Sequence, residues 1–181
     1  FVEEVVGRTA LLRHYHGAGY TARRGQVDLV GHSMGGLIIA GYLQRTGARR
    51  VRKVATLGTP FRGSFEAALK MITGQAELPG DSATREREAA RLTPALYHLL
   101  PRFRGAVTAD AGLGVDLFRA ATWQASVVRT LAEQIRLHGL EGAGKDTDAL
   151  LPDARALLQR LLTQASEHRA RISRLGLSGL G

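Results

Sequence analysis

The sequence predicts an α/β fold, on three observations. A short apolar run, Val27-Asp28-Leu29-Val30, is followed by a helical pattern from Leu37 through Arg45 and then by a second apolar run carrying Val51, Val54, Ala55 and Leu57. Strand, helix and strand within about 30 residues make a βαβ unit, whose crossover implies parallel strands. Beyond Pro60 there is no further β-branched run, and helical patches separated by turn residues take over.

In chain order, Phe1 to Tyr15 carries apolar residues at 2, 5, 6, 11, 12 and 15, close to a helical period, and His16-Gly17-Ala18-Gly19 stops it. Val27 to Val30 reads as a buried strand ending in Gly31. After His32-Ser33-Met34-Gly35-Gly36 the pattern turns helical, and Gly47 supplies the stop. Gly58-Thr59-Pro60 closes the second strand. Helices are expected near 64–72, 85–99, 116–138 and 150–174, and the linkers 75–83, 102–114 and 139–148 hold most of the remaining Gly, Pro and Asp. The expected organisation is a core segment over 1–63 and a mostly helical region over 64–181. Two parallel strands cannot bury both faces and edges of a sheet by themselves, so the sequence reads as part of a larger domain. Since it begins at Phe1, its true N-terminus is expected to be missing.

Composition narrows the chemistry. The 181 residues are 44% apolar and 23% charged, as in an ordinary globular domain. With no cysteine, a disulfide scaffold, a thiolate metal site and a cysteine nucleophile are excluded, and the compartment stays open. No stretch approaches the roughly 18 apolar residues of a membrane span. The 25 basic residues, 22 of them Arg, outnumber 16 acidic ones, for a net charge of +9. They are spread from Arg8 to Arg174 and interleaved with helix formers, which reads as solvated helical faces and not as a nucleic-acid site. An anionic membrane surface or an acidic substrate is what such faces would draw.

The chemistry sits at Gly31-His32-Ser33-Met34-Gly35, a G-x-S-x-G directly after a strand and directly before a helix. A turn that tight needs positive φ at the serine, and side chains two residues before and after it are expected to collide; hence Gly31 and Gly35. The bend lifts the Ser33 hydroxyl out of the sheet and sets it at a helix N-terminus, where the Met34 backbone N–H can face a developing oxyanion. Gly36 lets the helix pack closely on the strand. His32 leaves the strand end on the other side of the turn, so packing is its expected role and not that of base.

Val27 to Leu37 resembles the nucleophile elbow of α/β-hydrolase lipases and esterases, and Leu57-Gly58-Thr59-Pro60-Phe61-Arg62-Gly63-Ser64 is similar to the loop after the next strand in the same group. That group includes the lecithin:cholesterol acyltransferase-like and triacylglycerol-lipase-like branches. Leu92-Thr93-Pro94-Ala95-Leu96-Tyr97-His98-Leu99-Leu100-Pro101 resembles a short cap segment of the acyltransferase-like proteins. The resemblance implies a partial α/β-hydrolase fold with a helical cap insertion. It also implies a hydrophobic, lipid-like ester as substrate, an acyl-enzyme on Ser33, and release of the acyl group to water or to a second alcohol. No metal or organic cofactor is implied. A catalytically dead module that binds lipid or protein is the rival from a different class.

The triad's acid and base are not legible. In this fold they follow the serine, each on a loop after a later strand. Asp81, Asp110, Asp116, Asp146, Asp148 and Asp153, and His98, His138 and His168, all lack a preceding strand, so both partners are expected outside this chain. His16-Gly17-Ala18-Gly19 reads as a turn and not an oxyanion loop. Gly139 to Lys145 mimics a P-loop, but Asp146 stands where Ser or Thr is required. Leu96, Leu99, Leu100, Phe103, Leu117, Phe118, Trp123 and Val127 recur at helical spacing and suit either an acyl-chain lining or the helical region's own core. Phe61 is expected near a pocket mouth.

Overall fold

The computed structural model describes residues 2–12, 26–103, 106–107, 115–139 and 145–175. Its elements are α1 (Val2–Leu12), β1 (Val27–His32), α2 (Met34–Thr46), β2 (Val51–Leu57), α3 (Phe65–Thr73), α4 (Ala83–Leu92), α5 (Pro94–Leu99), α6 (Ala125–His138) and α7 (Leu151–Ser173). Short 3-10 turns lie at Ala120–Thr122 and Asp148–Leu150. β1 and β2 pair in parallel, as the crossover requires. The chain divides into two compact units, Phe1–Phe61 with Ala170–Gly181, and Arg62–Arg169.

In the first unit the ladder runs in step from Asp28↔Lys53 to His32↔Leu57. The helix α2 buries Gly36, Leu37, Ala40 and Leu43, one stripe at helical spacing, and ends at Gly47, whose φ of 69° suits glycine. Asp28 and Arg52 form a two-pronged ion pair across the strands, and that hydrogen bonding holds the Asp28 carboxyl below its ordinary value. The expectation of a buried strand fails here. Asp28, Val30 and His32 share one sheet face with their partners Lys53, Ala55 and Leu57, and all six are exposed, Val30 at 69%. Among the described residues, α2 packs on the opposite face, where Gly31 is buried.

The second unit has a dense core. Met71, Tyr97, Leu100, Val127, Leu131, Leu158 and Leu162 are buried, and α7 presents Ala154, Leu158, Leu162, Ala165 and Arg169 as one stripe. The helix expected over 85–99 is broken in two, because Pro94 lacks an N–H and pushes Thr93 to an extended ψ of 112°. The helix expected from 116 begins only at Ala125, after turns in which the Asp116 carboxylate accepts the Phe118 N–H at 2.9 Å.

Three polar devices knit this unit. The buried Arg91 guanidinium donates to the carbonyls of Met71 (2.9 Å) and Ile72 (3.1 Å) at the end of α3, and to Ser126 O and Thr130 Oγ1 (both 3.0 Å) on α6. It thereby satisfies carbonyls that α3 leaves open. Tyr97 donates to Arg91 O at 2.6 Å, and burial pushes its phenol up to about 12. The Glu86 carboxylate accepts the N–H groups of Ala76 (2.6 Å), Glu77 (2.8 Å) and Leu78 (2.6 Å), closing the α3–α4 loop around Glu77 at φ 61°. Burial raises the Glu86 carboxyl, but the three donors and the nearby Arg85 charge together outweigh it and hold the group below its ordinary value.

Gly63 explains the glycine after Phe61-Arg62. Its φ is 98°, and a Cβ there would strike the Leu100 carbonyl carbon at 2.7 Å and the Pro101 backbone. The backbones are tied on both sides, Ser64 N–H to Leu99 O at 2.7 Å and Arg102 N–H to Arg62 O at 3.0 Å. Gly80 has a similar φ of 103° but open space around it among the described residues. Gly80→Ala should therefore cost only the backbone strain, about 1–2 kcal/mol, and Gly63→Ala at least about 2 kcal/mol more. Thermal or urea unfolding checks the order, and equal losses contradict it.

The depressed Glu86 pKa has a defined linkage sign. Its stabilisation is present above the ordinary value of 4.5 and is lost as pH falls through the lower folded value. The Tm advantage of the wild type over Glu86→Gln should shrink between about pH 6 and about pH 3. A pH-independent difference contradicts the assignment.

Candidate functional site

β1 ends at His32 and α2 begins at Met34, so Ser33 alone makes the turn from strand to helix. It does so at φ 52° and ψ −123°, a conformation that L-residues rarely adopt. The sequence predicts this positive φ. The Ser33 N–H donates to Leu57 O at 2.8 Å, extending the β1–β2 pairing one residue into the bend, and Ser33 O accepts the Gly36 N–H at 3.3 Å. The Ser33 side chain does not cap α2, is exposed, and has no hydrogen-bond partner among the described residues. Met34, as the first residue of α2, carries an N–H with no acceptor inside the helix.

The glycines divide. A Cβ on Gly31 would meet the backbone of Gly35 and Gly36 at 2.7 Å, and one on Gly36 would meet Thr59 Cγ2 at 2.6 Å and Cβ at 2.8 Å. Both are required by close approach, Gly31 to the first turn of α2 and Gly36 to the end of β2. The collision expected at Gly35 is absent: an added Cβ there meets nothing within 4 Å among the described residues. The first turn of α2 carries Gly36 toward Thr59 and leaves Gly35 facing open space. His32 is exposed, which corrects the expectation that it packs.

No strand among the described residues follows β2, so none of the later carboxylates or histidines among them stands on a post-strand loop. His138 ends α6, where a cation is favoured, and His168 lies within α7. His98 and His168 stand edge to face with ring centroids 5.0 Å apart, a pairing that their separation in sequence conceals. Among the described residues there is no metal-holding group of His, Cys, Asp or Glu, and no helix long and apolar enough to cross a membrane. Asp110, His16 to Gly19 and most of the P-loop mimic lie outside the described residues.

The apolar candidates resolve toward packing. Leu100, Leu117, Trp123 and Val127 are buried in the second unit's core, and Leu96, Leu99 and Phe118 pack against it. Phe103 and Phe61 are about half exposed. Sequence reasoning anticipated a helix at α3 but missed its outer face. That helix buries Ala67, Ala68 and Met71 and exposes Phe65 (49%), Leu69 (49%) and Ile72 (41%), a second apolar stripe at i, i+4 and i+7. The signal was an apolar pattern too broad for one buried face.

The glycine geometry separates two substitutions. Gly31→Ala should lower stability by about 2 kcal/mol or more, because backbone must move to admit the methyl. Gly35→Ala should be neutral to within about 0.5 kcal/mol, since an added methyl meets nothing within 4 Å among the described residues and Gly35 is only the second residue of α2. Denaturant midpoints check this, and a Gly35→Ala loss as large as that of Gly31→Ala contradicts it.

A sequence model of the lecithin:cholesterol acyltransferase family matches residues 12–158, a span that contains β1, Ser33, α2, β2 and α3 to α6. No curated protein and no solved structure matches the chain. The chain belongs to the lecithin:cholesterol acyltransferase family, in the lipase and acyltransferase branch of the α/β-hydrolase superfamily.

Proposed function

We propose that this protein is a serine esterase acting on lipid carboxylic esters through an acyl-enzyme on Ser33, with Gly31-His32-Ser33-Met34-Gly35 as its nucleophile elbow. The observation that carries the reading is the backbone of Ser33, at φ 52° between a strand and a helix, with its hydroxyl exposed and uncommitted. A strained serine in that position is costly in a purely structural turn and is what an elbow needs.

The chemistry runs in two halves. Ser33 Oγ attacks the ester carbonyl carbon while its proton passes to a general base, and the carbonyl electron pair moves onto oxygen. The Met34 N–H, at the positive end of α2, is one donor to that oxyanion. Collapse expels the alcohol, which takes the proton back, and water attacks the acyl-enzyme in the same way. No residue of this chain is assigned as the base or the acid. Gly31 and Gly36 serve by allowing close approach, and the helices after Pro60 are read as the cap region.

Lipid as the substrate class is supported by the family match and by the exposed Phe65, Leu69 and Ile72. A net charge of +9 suits an anionic lipid surface. The family match also favours acyl transfer to a lipid alcohol, which uses the same acyl-enzyme and differs only in the second acceptor.

Treatment of the intact protein with a fluorophosphonate should label Ser33, and Ser33→Ala should abolish labelling without lowering Tm, since the substitution removes an exposed hydroxyl. Products formed from a lipid ester with and without an added long-chain alcohol separate hydrolysis from transfer. A folded but unlabelled protein overturns the enzyme reading in favour of a non-catalytic lipid- or protein-binding module.

A further inference from the structure

We infer that Thr59 is a positioning residue for Ser33, acting through the volume of its side chain and not through its hydroxyl; this rests on Ser33 as nucleophile. Thr59 stands two residues past the end of β2, where Phe61 N–H donates to Thr59 O at 2.9 Å and turns the chain. Its side chain occupies the notch that Gly36 leaves in the first turn of α2. A Cβ on Gly36 would overlap Thr59 Oγ1 and come within 2.6 Å of Cγ2 and 2.8 Å of Cβ. The two residues are thus complementary in size: the bulk absent at Gly36 is supplied by Thr59.

That contact lies where it controls the reacting group. Gly36 N–H closes onto Ser33 O, and Ser33 N–H closes onto Leu57 O, so the first turn of α2 and the end of β2 are already linked through Ser33. Thr59 sets the gap between the same two segments from the side-chain side. Widening or closing that gap rotates the peptide that carries the Met34 N–H.

The hydroxyl itself is idle. Thr59 Oγ1 is buried and has no hydrogen-bond partner among the described residues. A buried hydroxyl with no partner destabilises a fold, whereas a methyl of the same shape does not. Acting by shape alone, Thr59 should be replaceable by valine without loss of reactivity.

The test measures the fluorophosphonate labelling rate of Ser33 in the intact protein, well below the Tm of each variant so that global stability does not register. Thr59→Val should label within about twofold of wild type and raise Tm by about 2–4 °C, as relief of an unpaired hydroxyl predicts. Thr59→Ala and Gly36→Ala should each slow labelling by about tenfold, one by loosening the notch and the other by overfilling it. The size swap, Gly36→Ala with Thr59→Gly, should recover labelling to within about threefold of wild type, since the coupling of contacting residues is read by such cycles. Slow labelling of Thr59→Val shows that the hydroxyl acts and overturns the proposal. So does a swap no faster than the slower of Thr59→Ala and Gly36→Ala, or unslowed labelling of Thr59→Ala.

Amide proton and nitrogen shifts of Ser33 and Met34 keep the two readings apart. Absence of labelling in the wild type removes the nucleophile reading. The positioning claim then stands if Thr59→Ala and Gly36→Ala move those shifts and the swap returns them, and falls if they do not move.

Discussion

The turn at Ser33 is the constraint around which the first unit is arranged. A single residue carries the chain from β1 into α2, and it does so in a conformation whose strain is on the order of 1–3 kcal/mol. The hydrogen bond from Ser33 N–H to Leu57 O, net about 1 kcal/mol, does not offset that strain by itself. More comes from the burial of Leu37 and Leu43 on α2 and Val51 on β2, each about 1.5–3 kcal/mol for a fully buried side chain. These can pack only if α2 starts immediately after β1 and lies close to the sheet, which Gly31 and Gly36 permit. Strain at one residue is thus the geometric consequence of a helix packed closely on the strands it connects.

The two units distribute their stabilisation differently. In the second, neutral carbonyls of α3 and α6 surround the Arg91 guanidinium, and three loop N–H groups surround the Glu86 carboxylate. The α3 carbonyls and the loop N–H groups are ones that a helix end or a loop leaves open, and the bonds from Arg91 to α6 tie that helix end to α6, so these polar networks and the apolar stripe of α7 fix the same arrangement. In the first unit apolar burial is concentrated on the α2 face, while the opposite face of β1 and β2 carries exposed Val30 and Leu57.

What the sequence made legible was local. The strand–helix–strand alternation, the positive φ at Ser33 and the need for Gly31 follow from periodicity and from the length of one turn, and all three are present. The break at Pro94 was legible in principle, since Thr-Pro resists a helix, but the apolar spacing across it outweighed that signal. Gly35 was misjudged because motif spacing treats the two glycines as equivalent, whereas helical rotation turns only Gly36 toward Thr59. Arg91 and Glu86 gave no signal at all. Their partners are mostly carbonyls and N–H groups, which nearly every residue possesses, so nothing in the side-chain pattern announces them.

The apolar residues show most clearly where periodicity stops deciding. Leu100, Trp123 and Val127 have the spacing that suits an acyl-chain lining, and the same spacing suits a core; burial among α6, α7 and their neighbours commits them to the core. A side chain already packed on all sides has no surface left for a ligand, so lining has to come from apolar groups that the fold leaves uncovered. On α3, Phe65, Leu69 and Ile72 meet that condition, because Ala67, Ala68 and Met71 already supply the helix's buried face. Leaving three large side chains about half exposed on one stripe forgoes about 1 kcal/mol apiece in burial. The core residues that first matched the pattern are excluded as a lining by the completeness of their own packing, and α3 keeps three apolar side chains outside that packing.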